Sequence, residues 1–312
     1  MSDRVIIVGA TRGHEKVSAF ELAQMLGRSG RTQRGKPCMA DIIVGEEDSE
    51  LLSRPDAFKV TSHLTEADSL AFHILPEIGL GRVADTVLAE QWYSRSLGAA
   101  QGNKPNFLKI LKYLEQISAV QRDGSSGGYS ITEMGKLSVS FYFHPAIVNG
   151  WAENFGEILR MGLETDDLAI AWALGGVSQS VSGYFGDNNF LAEECKNRMP
   201  RNLSIEDGHL VSTVLWWSAI GGPPAGKMRG QMLQLRFDFS RINNVLRGLN
   251  KLKHWEKAQF FEDLAVRVQK GIPSHLIELC QHGLSKSKAD GAYNIGIRTI
   301  ADLEAYVGDD FE

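Results

Sequence analysis

Cysteine is scarce in this sequence of 312 residues. Its three cysteines are Cys38, Cys195 and Cys280, and none belongs to a Cys-x-x-Cys pair. Disulfide frameworks and structural zinc sites need cysteines in closer or regular spacing, so the sequence indicates neither. The histidines show no His-Glu-x-x-His spacing either. We therefore expect a reducing compartment and no metal site.

Long apolar runs are also lacking. The two longest, 168–174 and 211–220, are far shorter than the roughly 20 apolar residues that a transmembrane helix needs. The chain does not open with the pattern of a signal peptide. Its net charge is −5, which is not the charge expected of a protein that coats nucleic acid along its whole length. We expect a soluble protein that contacts no membrane, located in the cytoplasm, or in the nucleus of a eukaryote.

A complete phosphate-binding loop is missing as well. Residues 221–227 have the Gly and Lys spacing of a P-loop, but Met228 follows where Ser or Thr would bind Mg²⁺. No run of four apolar residues ends in the Asp that would supply the second Mg²⁺ anchor. We therefore interpret this stretch as a turn between helices, and expect that the chain alone does not hydrolyse ATP.

An arginine-rich segment, Gln-Met-Leu-Gly-Arg-Ser-Gly-Arg at 24–31, lies between two short apolar stretches, 5–8 and 39–44, that predict strands. Guanidinium groups neutralise the charge that develops on a transferring γ-phosphoryl group, often from across an interface. Two glycines keep the backbone there free of side-chain clashes. The alternative is a solvated basic turn.

This segment resembles motif VI of superfamily 2 helicases, with Ser29 where Ala is common. The surrounding sequence is most similar to archaeal-type Ski2-like DNA helicases, which are related to the helicase domain of polymerase theta and to meiotic helicases. The resemblance implies that Arg28 and Arg31 are catalytic residues that face the nucleotide. Three neighbours would contact the nucleotide as well: Gln24, Gly27 and Gly30.

By this resemblance, residues 1–50 are the C-terminal piece of a second RecA-like motor domain, and the rest of the motor must come from elsewhere. The stretch 9–20 occupies the place of the family's strand-separating hairpin and is short. Residues 51–140 predict helices followed by a hairpin of strands 118–120 and 129–131, the order of a winged-helix domain. In the family this domain is a hinge, so we assign it no base reading.

Residues 141–257 resemble the family's helical ratchet domain. The stretch 227–257 has eight Lys or Arg and two acidic residues, a net charge of +6. A helix beginning near Asp238 would have one apolar face: Ile242, Val245, Leu246, Leu249 and Leu252. The opposite face would be polar and end at Trp255: Asn243, Asn244, Arg247, Asn250, Lys251 and His254.

Cations, amides and an aromatic ring on one side of a helix suit a single nucleic-acid strand. In the family, the ratchet helix contacts the translocating strand. The resemblance therefore makes Asn244, Arg247, Lys251 and Trp255 candidates for nucleic-acid binding. The alternative is the solvated face of a bundle helix. Tryptophans 151, 172, 216 and 217 lie in apolar stretches and are expected in the core.

Residues 258–312 predict helices joined by glycine-containing turns and resemble a helix-hairpin-helix domain. Backbone N–H groups at such turns bind phosphates, and nearby lysines add charge. The candidates are Gly283, Lys286 and Lys288, with Ser285 in place of the usual second glycine. The alternative is a plain helical cap on the bundle.

The sequence thus predicts a mainly α protein with a small α/β remnant of a helicase motor domain, a winged helix, a ratchet bundle and a helix-hairpin-helix. It resembles the C-terminal portion of an ATP-dependent helicase that translocates single-stranded or branched DNA in repair or restart of stalled forks. ATP and Mg²⁺ would bind only if a separate first motor domain or subunit completes the site. The alternatives are a non-enzymatic nucleic-acid-binding adaptor and a fragment of an RNA helicase.

Overall fold

The computed structural model describes residues 4–9, 11–12, 15–28, 39–46, 61–125, 127–177, 189–224 and 229–309. It is mainly helical, as predicted. The chain divides into two compact units, residues 1–62 and 63–312.

The first unit contains a two-stranded parallel sheet. Its elements are β1 (Arg4–Val8), β2 (Thr11–Arg12), β3 (Glu15–Lys16), α1 (Ala19–Leu26) and β4 (Met39–Ile43). Strand β1 pairs with β4 in register from Arg4 opposite Met39 to Val8 opposite Ile43, so the two predicted strands are confirmed. Between them, β2 and β3 form a short antiparallel hairpin.

Helix α1 begins at a capping box, in which Ser18 Oγ accepts the Glu21 N–H and the Glu21 carboxylate accepts the Ser18 N–H. The core of this unit is small and centres on Ile7, Val17 and Leu22. Large apolar side chains remain exposed on both strands: Ile6, Val8, Met39 and Ile43. Among the described residues of this unit, one helix covers only part of the two-stranded sheet.

The second unit begins with helices and a hairpin around one core. The elements are α2 (Ala67–Gly79), α3 (Thr86–Tyr93), α4 (Leu97–Ala100), α5 (Phe107–Gln116), β5 (Val120–Arg122) and β6 (Tyr129–Ile131). The predicted order is observed. Strand β5 begins two residues later than predicted because Ser118 adopts a left-handed φ of 57° and its N–H closes the end of α5 on the Glu115 carbonyl.

A helical bundle follows, with a core of its own. Its helices are α6 (Glu133–Phe141), α7 (Pro145–Arg160), α8 (Asp167–Gly175), α9 (Asn189–Arg198), α10 (Asp207–Ala219), α11 (Arg229–Leu252) and α12 (Ala258–Lys270). The tryptophans are core residues as predicted: Trp151, Trp216 and Trp217 are buried, and partly buried Trp172 packs on the same core.

Helix α11 is 24 residues long and carries three of the predicted nucleic-acid-binding residues: Asn244, Arg247 and Lys251. The prediction that it begins near Asp238 was wrong, because the buried side of the helix extends back to Met232 and Leu235, which pack on the bundle core. At Gly248, the missing side chain makes room for Leu137 of α6. A Cβ atom at this glycine would lie 2.5 Å from a Leu137 methyl carbon.

The C-terminal segment packs on a small apolar cluster. It comprises a 3₁₀ turn (Ser274–Leu276), α13 (Ile277–Gln281), α14 (Lys286–Asn294) and α15 (Ile300–Asp309). Helices joined by short turns are observed as predicted. Across the described ranges, no helix combines the length and hydropathy required to cross a membrane.

A buried arginine joins this segment to the bundle. Arg267 of α12 is 3% exposed, and its Nη2 donates to Asp167 Oδ1 at 2.5 Å and to the Ile220 carbonyl at 3.2 Å. Its Nε donates to the Ile272 carbonyl at 3.4 Å. Burial lowers the pKa of Arg267, and the Asp167 carboxylate opposes that shift. One guanidinium therefore links α12, the start of α8, the end of α10 and the following turn.

Helices α8 and α10 approach closely at Gly175, which yields a test of the packing. A Cβ at this position would lie 2.6 Å from the Thr213 backbone nitrogen. Because that neighbour is backbone, Gly175→Ala should destabilise the protein by about 2 kcal/mol. Gly208→Ala is the matched control, since a Cβ there meets nothing within 4 Å. It should be neutral or stabilising by up to about 1 kcal/mol. Equal unfolding midpoints in urea for both variants would contradict the close approach.

Candidate nucleic-acid interface

The structure describes residues 24–28 of the arginine-rich segment 24–31. Gln24 lies in the last turn of α1 and is exposed, and Gly27 is the C-cap, donating its N–H to the Ala23 carbonyl. Arg28 follows directly and is exposed, with its N–H on the Met25 carbonyl. Gly30 and Arg31 lie outside the described residues. The predicted arginine turn at the end of a helix is therefore observed for Arg28.

Helix α11 presents a continuous exposed row, which we call the α11 stripe: Phe237, Arg241, Asn244, Arg247 and Lys251. Successive members are three or four residues apart and therefore share one helix face. The opposite face is apolar as predicted, because Ile242, Val245, Leu246 and Leu249 are buried. The stripe brings together Asn244, Arg247 and Lys251, three of the four residues predicted for this helix.

The cations of the stripe form only weak internal contacts. Arg247 Nη2 lies 3.8 Å from Glu262 Oε1, and the two side chains are 55% and 53% exposed. The Arg241 guanidinium lies 4.6 Å from the centre of the Phe143 ring and 3.7 Å from an Asp238 oxygen. Exposed ion pairs contribute about 0–1 kcal/mol. An incoming phosphate can therefore replace these carboxylates at little cost.

The polar-face prediction was wrong for Asn243, which is buried. Asn243 lies four residues after Phe239 and three before Leu246, in the middle of the buried face, because α11 packs against α6, α10 and α12 together. Its Oδ1 atom has no hydrogen-bond partner within the described residues. Half-buried Asn250 is also structural, since its Oδ1 accepts the Lys257 N–H before α12.

Trp255 lies half-buried against the bundle core rather than in the open. Its ring stacks on Phe261, with centroids 6.0 Å apart and planes 27° from parallel. The flanking residues His254 and Glu256 have left-handed φ angles of 51° and 58°, which turn the chain at the end of α11. Trp255 therefore stabilises the turn between α11 and α12.

The sequence reasoning missed the exposed aromatic residue of the stripe, Phe237, which is 80% exposed. The signal was available in the spacing, because continuing the polar face back from Lys251 through Asn244 and Arg241 reaches position 237. A helix that begins near Asp238, as predicted from the sequence, does not include Phe237.

Of the predicted C-terminal residues, Gly283 is exposed on the turn before α14, and Lys288 is exposed in the first turn of α14. Gly283 has a φ of 100°, and Ser285 Oγ caps the helix. Lys286 differs, because its Nζ donates to the Gly271 carbonyl at 2.8 Å and so holds α14 to the end of α12.

The next turn, before α15, is occupied by the protein's own carboxylates. Asp302 Oδ2 accepts the N–H groups of Arg298 and Thr299, both at 2.9 Å. Glu278 Oε1 accepts the Ile300 N–H at 3.0 Å. These backbone hydrogen bonds lower the pKa of Asp302. A phosphate at this turn would have to displace a carboxylate. At the Gly283 turn, the N–H groups of Gly283 and Leu284 already donate to the carbonyls of Cys280 and Leu279, so the exposed Lys288 side chain is the group there that remains open to an anion.

No protein-family model matches the chain. A curated protein aligns with almost all of it, and this similarity supports a relationship to the Ski2-like helicases, as predicted. That relative is the ATP-dependent DNA helicase Hel308 of Pyrobaculum calidifontis. The two sequences are 22% identical over an alignment of 316 residues, and this alignment covers 93% of this chain and 44% of the relative. The chain therefore spans less than half the length of the curated relative.

The buried position of Asn243 can be tested by comparing it with its exposed neighbour. Asn243→Leu keeps a similar side-chain size and removes a buried acceptor that lacks a partner, so we expect stabilisation by about 1 kcal/mol. Asn244→Leu on the stripe should change the free energy of unfolding by less than about 0.5 kcal/mol. Urea unfolding followed by circular dichroism measures both. Destabilisation by Asn243→Leu would mean that the amide has a favourable role.

Proposed function

We propose that this chain is the C-terminal portion of an ATP-dependent Ski2-like DNA helicase, and that the α11 stripe binds single-stranded DNA. The observation that supports this most is the exposed row of Arg241, Asn244, Arg247 and Lys251 on one helix face. It lies within the stretch of +6 charge in a chain whose net charge is −5. Concentrated positive charge on one element favours a local contact with phosphates over general coating.

The length of the stripe suits a short segment of one strand. Ten residues separate Arg241 from Lys251, a rise of about 15 Å along the helix. Guanidinium and ammonium groups spaced along this row pair with successive phosphates, and the Asn244 amide offers both a donor and an acceptor. Exposed Lys288, beside the Gly283 turn, adds a second phosphate contact in a helix-hairpin-helix domain. Residues 51–140 would act as the winged-helix hinge.

The first unit contributes to ATP hydrolysis only together with a separate first motor domain. Exposed Arg28, with Arg31, would face the γ-phosphate of an ATP that this other domain binds through its Walker motifs and Mg²⁺. Gln24, Gly27 and Gly30 would line the same site. The apolar side chains exposed on β1 and β4 support this arrangement, because such strands are normally covered in α/β domains. ATP hydrolysis would supply the free energy for translocation.

In this function, the helicase would pull single-stranded or branched DNA during repair or restart of stalled forks, in the cytoplasm or in a eukaryotic nucleus. A non-enzymatic nucleic-acid-binding adaptor is the second candidate. The two candidates share the α11 stripe and differ in whether motif VI acts on ATP. An RNA strand in place of DNA would use the same phosphate contacts.

Strand binding can be tested by fluorescence anisotropy with a labelled oligothymidine at several salt concentrations. Arg247→Ala combined with Lys251→Ala should weaken binding on the order of tenfold. It should also reduce the slope of log K against log salt by roughly 1.4, since each lost contact with a single strand contributes about 0.7. Arg160→Ala with Lys196→Ala removes two exposed cations elsewhere in the bundle and serves as the control.

The same assay also tests Glu262, whose Oε1 atom lies 3.8 Å from Arg247 Nη2. Glu262→Gln frees the guanidinium and removes a negative charge, so it should tighten binding several-fold. Glu157→Gln, which alters the similar exposed pair of Arg160, should leave affinity unchanged. Equal losses in the Arg247 and Arg160 double variants would assign binding to net charge alone and refute the stripe.

Hydrolysis of ATP is tested by release of radiolabelled phosphate with single-stranded DNA present. The chain alone should show none above background. Adding a protein that carries a Ski2-like first motor domain should restore turnover if the chain is a helicase part. In that mixture Arg28→Ala or Arg31→Ala should reduce turnover by about 10³-fold or more, the usual effect of losing such an arginine. Turnover that is unaffected by both substitutions would favour the adaptor.

A further inference from the structure

We propose that Phe237 stacks on a base of the bound strand and fixes one end of the strand's path along α11. This inference rests on the proposed function of the α11 stripe and specifies which aromatic side chain serves it. Phe237 is 80% exposed, although phenylalanine is usually buried in folded proteins. Its exposure is not that of a fraying end, because it lies within the 24-residue helix, eight residues after Arg229.

Its position aligns the ring with the cations. Arg241 follows Phe237 by four residues, so the two side chains are neighbours on the helix surface. The row then continues through Asn244 and Arg247 to Lys251, about 21 Å from Phe237 along the axis. A single strand bound along this row would place phosphates on the cations and bring one base to the ring. This alternation of stacking and ion pairing is how sequence-tolerant single-strand sites are built.

Trp255, at the other end of α11, is unsuited to this role. Its ring is stacked on Phe261 and held by the left-handed turn of His254 and Glu256. Freeing it would require unpacking part of the bundle core. Phe237 requires no rearrangement, since its ring already faces solvent. The aromatic contact therefore lies at the amino-terminal part of the helix.

A protein partner is the competing occupant, because exposed Leu233 lies one turn before Phe237 and extends the apolar surface. Charge favours the nucleic-acid strand. The exposed residues after Phe237 on this face include two arginines and a lysine, and the nearby carboxylate of Asp238 is engaged by Gln234 Nε2 at 3.0 Å and by Arg241. A row of cations directly beside one aromatic ring complements a polyanion that contains flat bases.

The test compares two strands of equal length, an oligothymidine and an abasic strand with the same phosphates. Phe237→Ala should weaken oligothymidine binding by roughly 5- to 100-fold, the range of a lost base–aromatic contact. Binding of the abasic strand should be the same for this variant and the unaltered protein. The salt slope should not change, because no charge is lost. Phe237→Trp should restore oligothymidine binding, and Phe237→Leu should not.

Phe190→Ala is the matched control, since Phe190 is also an exposed phenylalanine but lies on α9, away from the stripe. It should leave both affinities unchanged. Thermal unfolding should be the same for all of these variants, because the altered side chains are exposed. Sedimentation equilibrium of the unaltered protein and of Phe237→Ala measures self-association, and so tests whether a second copy of the chain occupies this surface instead.

The outcomes separate the inference from the function on which it rests. Strand binding that depends on Arg247 and Lys251 but not on Phe237 would overturn the inference and leave the stripe. Equal weakening of both strands by Phe237→Ala would also overturn it, because the ring would not be reading a base. Loss of self-association instead of strand affinity would assign Phe237 to a protein interface. Failure of the unaltered protein to bind either strand would refute the inference and the stripe together.

Discussion

The buried guanidinium of Arg267 is the interaction on which the helical part of the molecule depends most. A buried cation is costly unless it is paired and hydrogen-bonded, and here a carboxylate and two carbonyls accept hydrogen bonds from its Nη2 and Nε atoms. Its partners come from three places far apart in sequence: Asp167, Ile220 and Ile272. Helix α12 is thereby fixed against α8 and α10, and α11 packs on α12 and α10. The orientation of the α11 stripe follows from this network.

Packing on several sides also explains why the stripe is narrow. Helix α11 contacts α6, α7, α10 and α12, which leaves one line of positions for solvent. Gly248 contributes directly, because the missing side chain admits Leu137 and brings α6 close. A wider exposed face would scatter the cations around the helix. The tight surroundings instead concentrate Arg241, Arg247 and Lys251 along one path.

Periodic features could be predicted from the sequence. The strands at 4–8 and 39–43 follow from short apolar runs, and the buried side of α11 follows from the helical spacing of its apolar residues. Asn243 and Trp255 could not be placed in this way. The number of neighbours around α11 decides the burial of Asn243, and the left-handed turn at 254–256 decides the direction of Trp255. Both depend on tertiary packing, which a single helical repeat does not encode.

For the candidate site, the sequence therefore predicted the helix and only some of the residues that are exposed on it. Asn244, Arg247 and Lys251 lie where the repeat placed them, whereas the exposed aromatic residue lies at the other end. Lys286 was predicted from proximity to a glycine turn, but its ammonium group binds a carbonyl of the preceding helix. The positive charge in the sequence indicates which segment is a candidate for binding an anion. Hydrogen bonds within the fold then decide which of its cationic side chains remain free to do so.

The turn before α15 has a consequence for the electrostatics of the C-terminus. Asp302 and Glu278 fill the amide positions that a helix start would otherwise offer to an anion. Because the pKa of Asp302 is lowered, its charge persists to greater acidity than that of an ordinary aspartate, and the cap would fail only as the pH falls through that lowered value. The start of α15 is therefore already neutralised by carboxylates of the protein itself, and their negative charge disfavours the approach of a polyanion there.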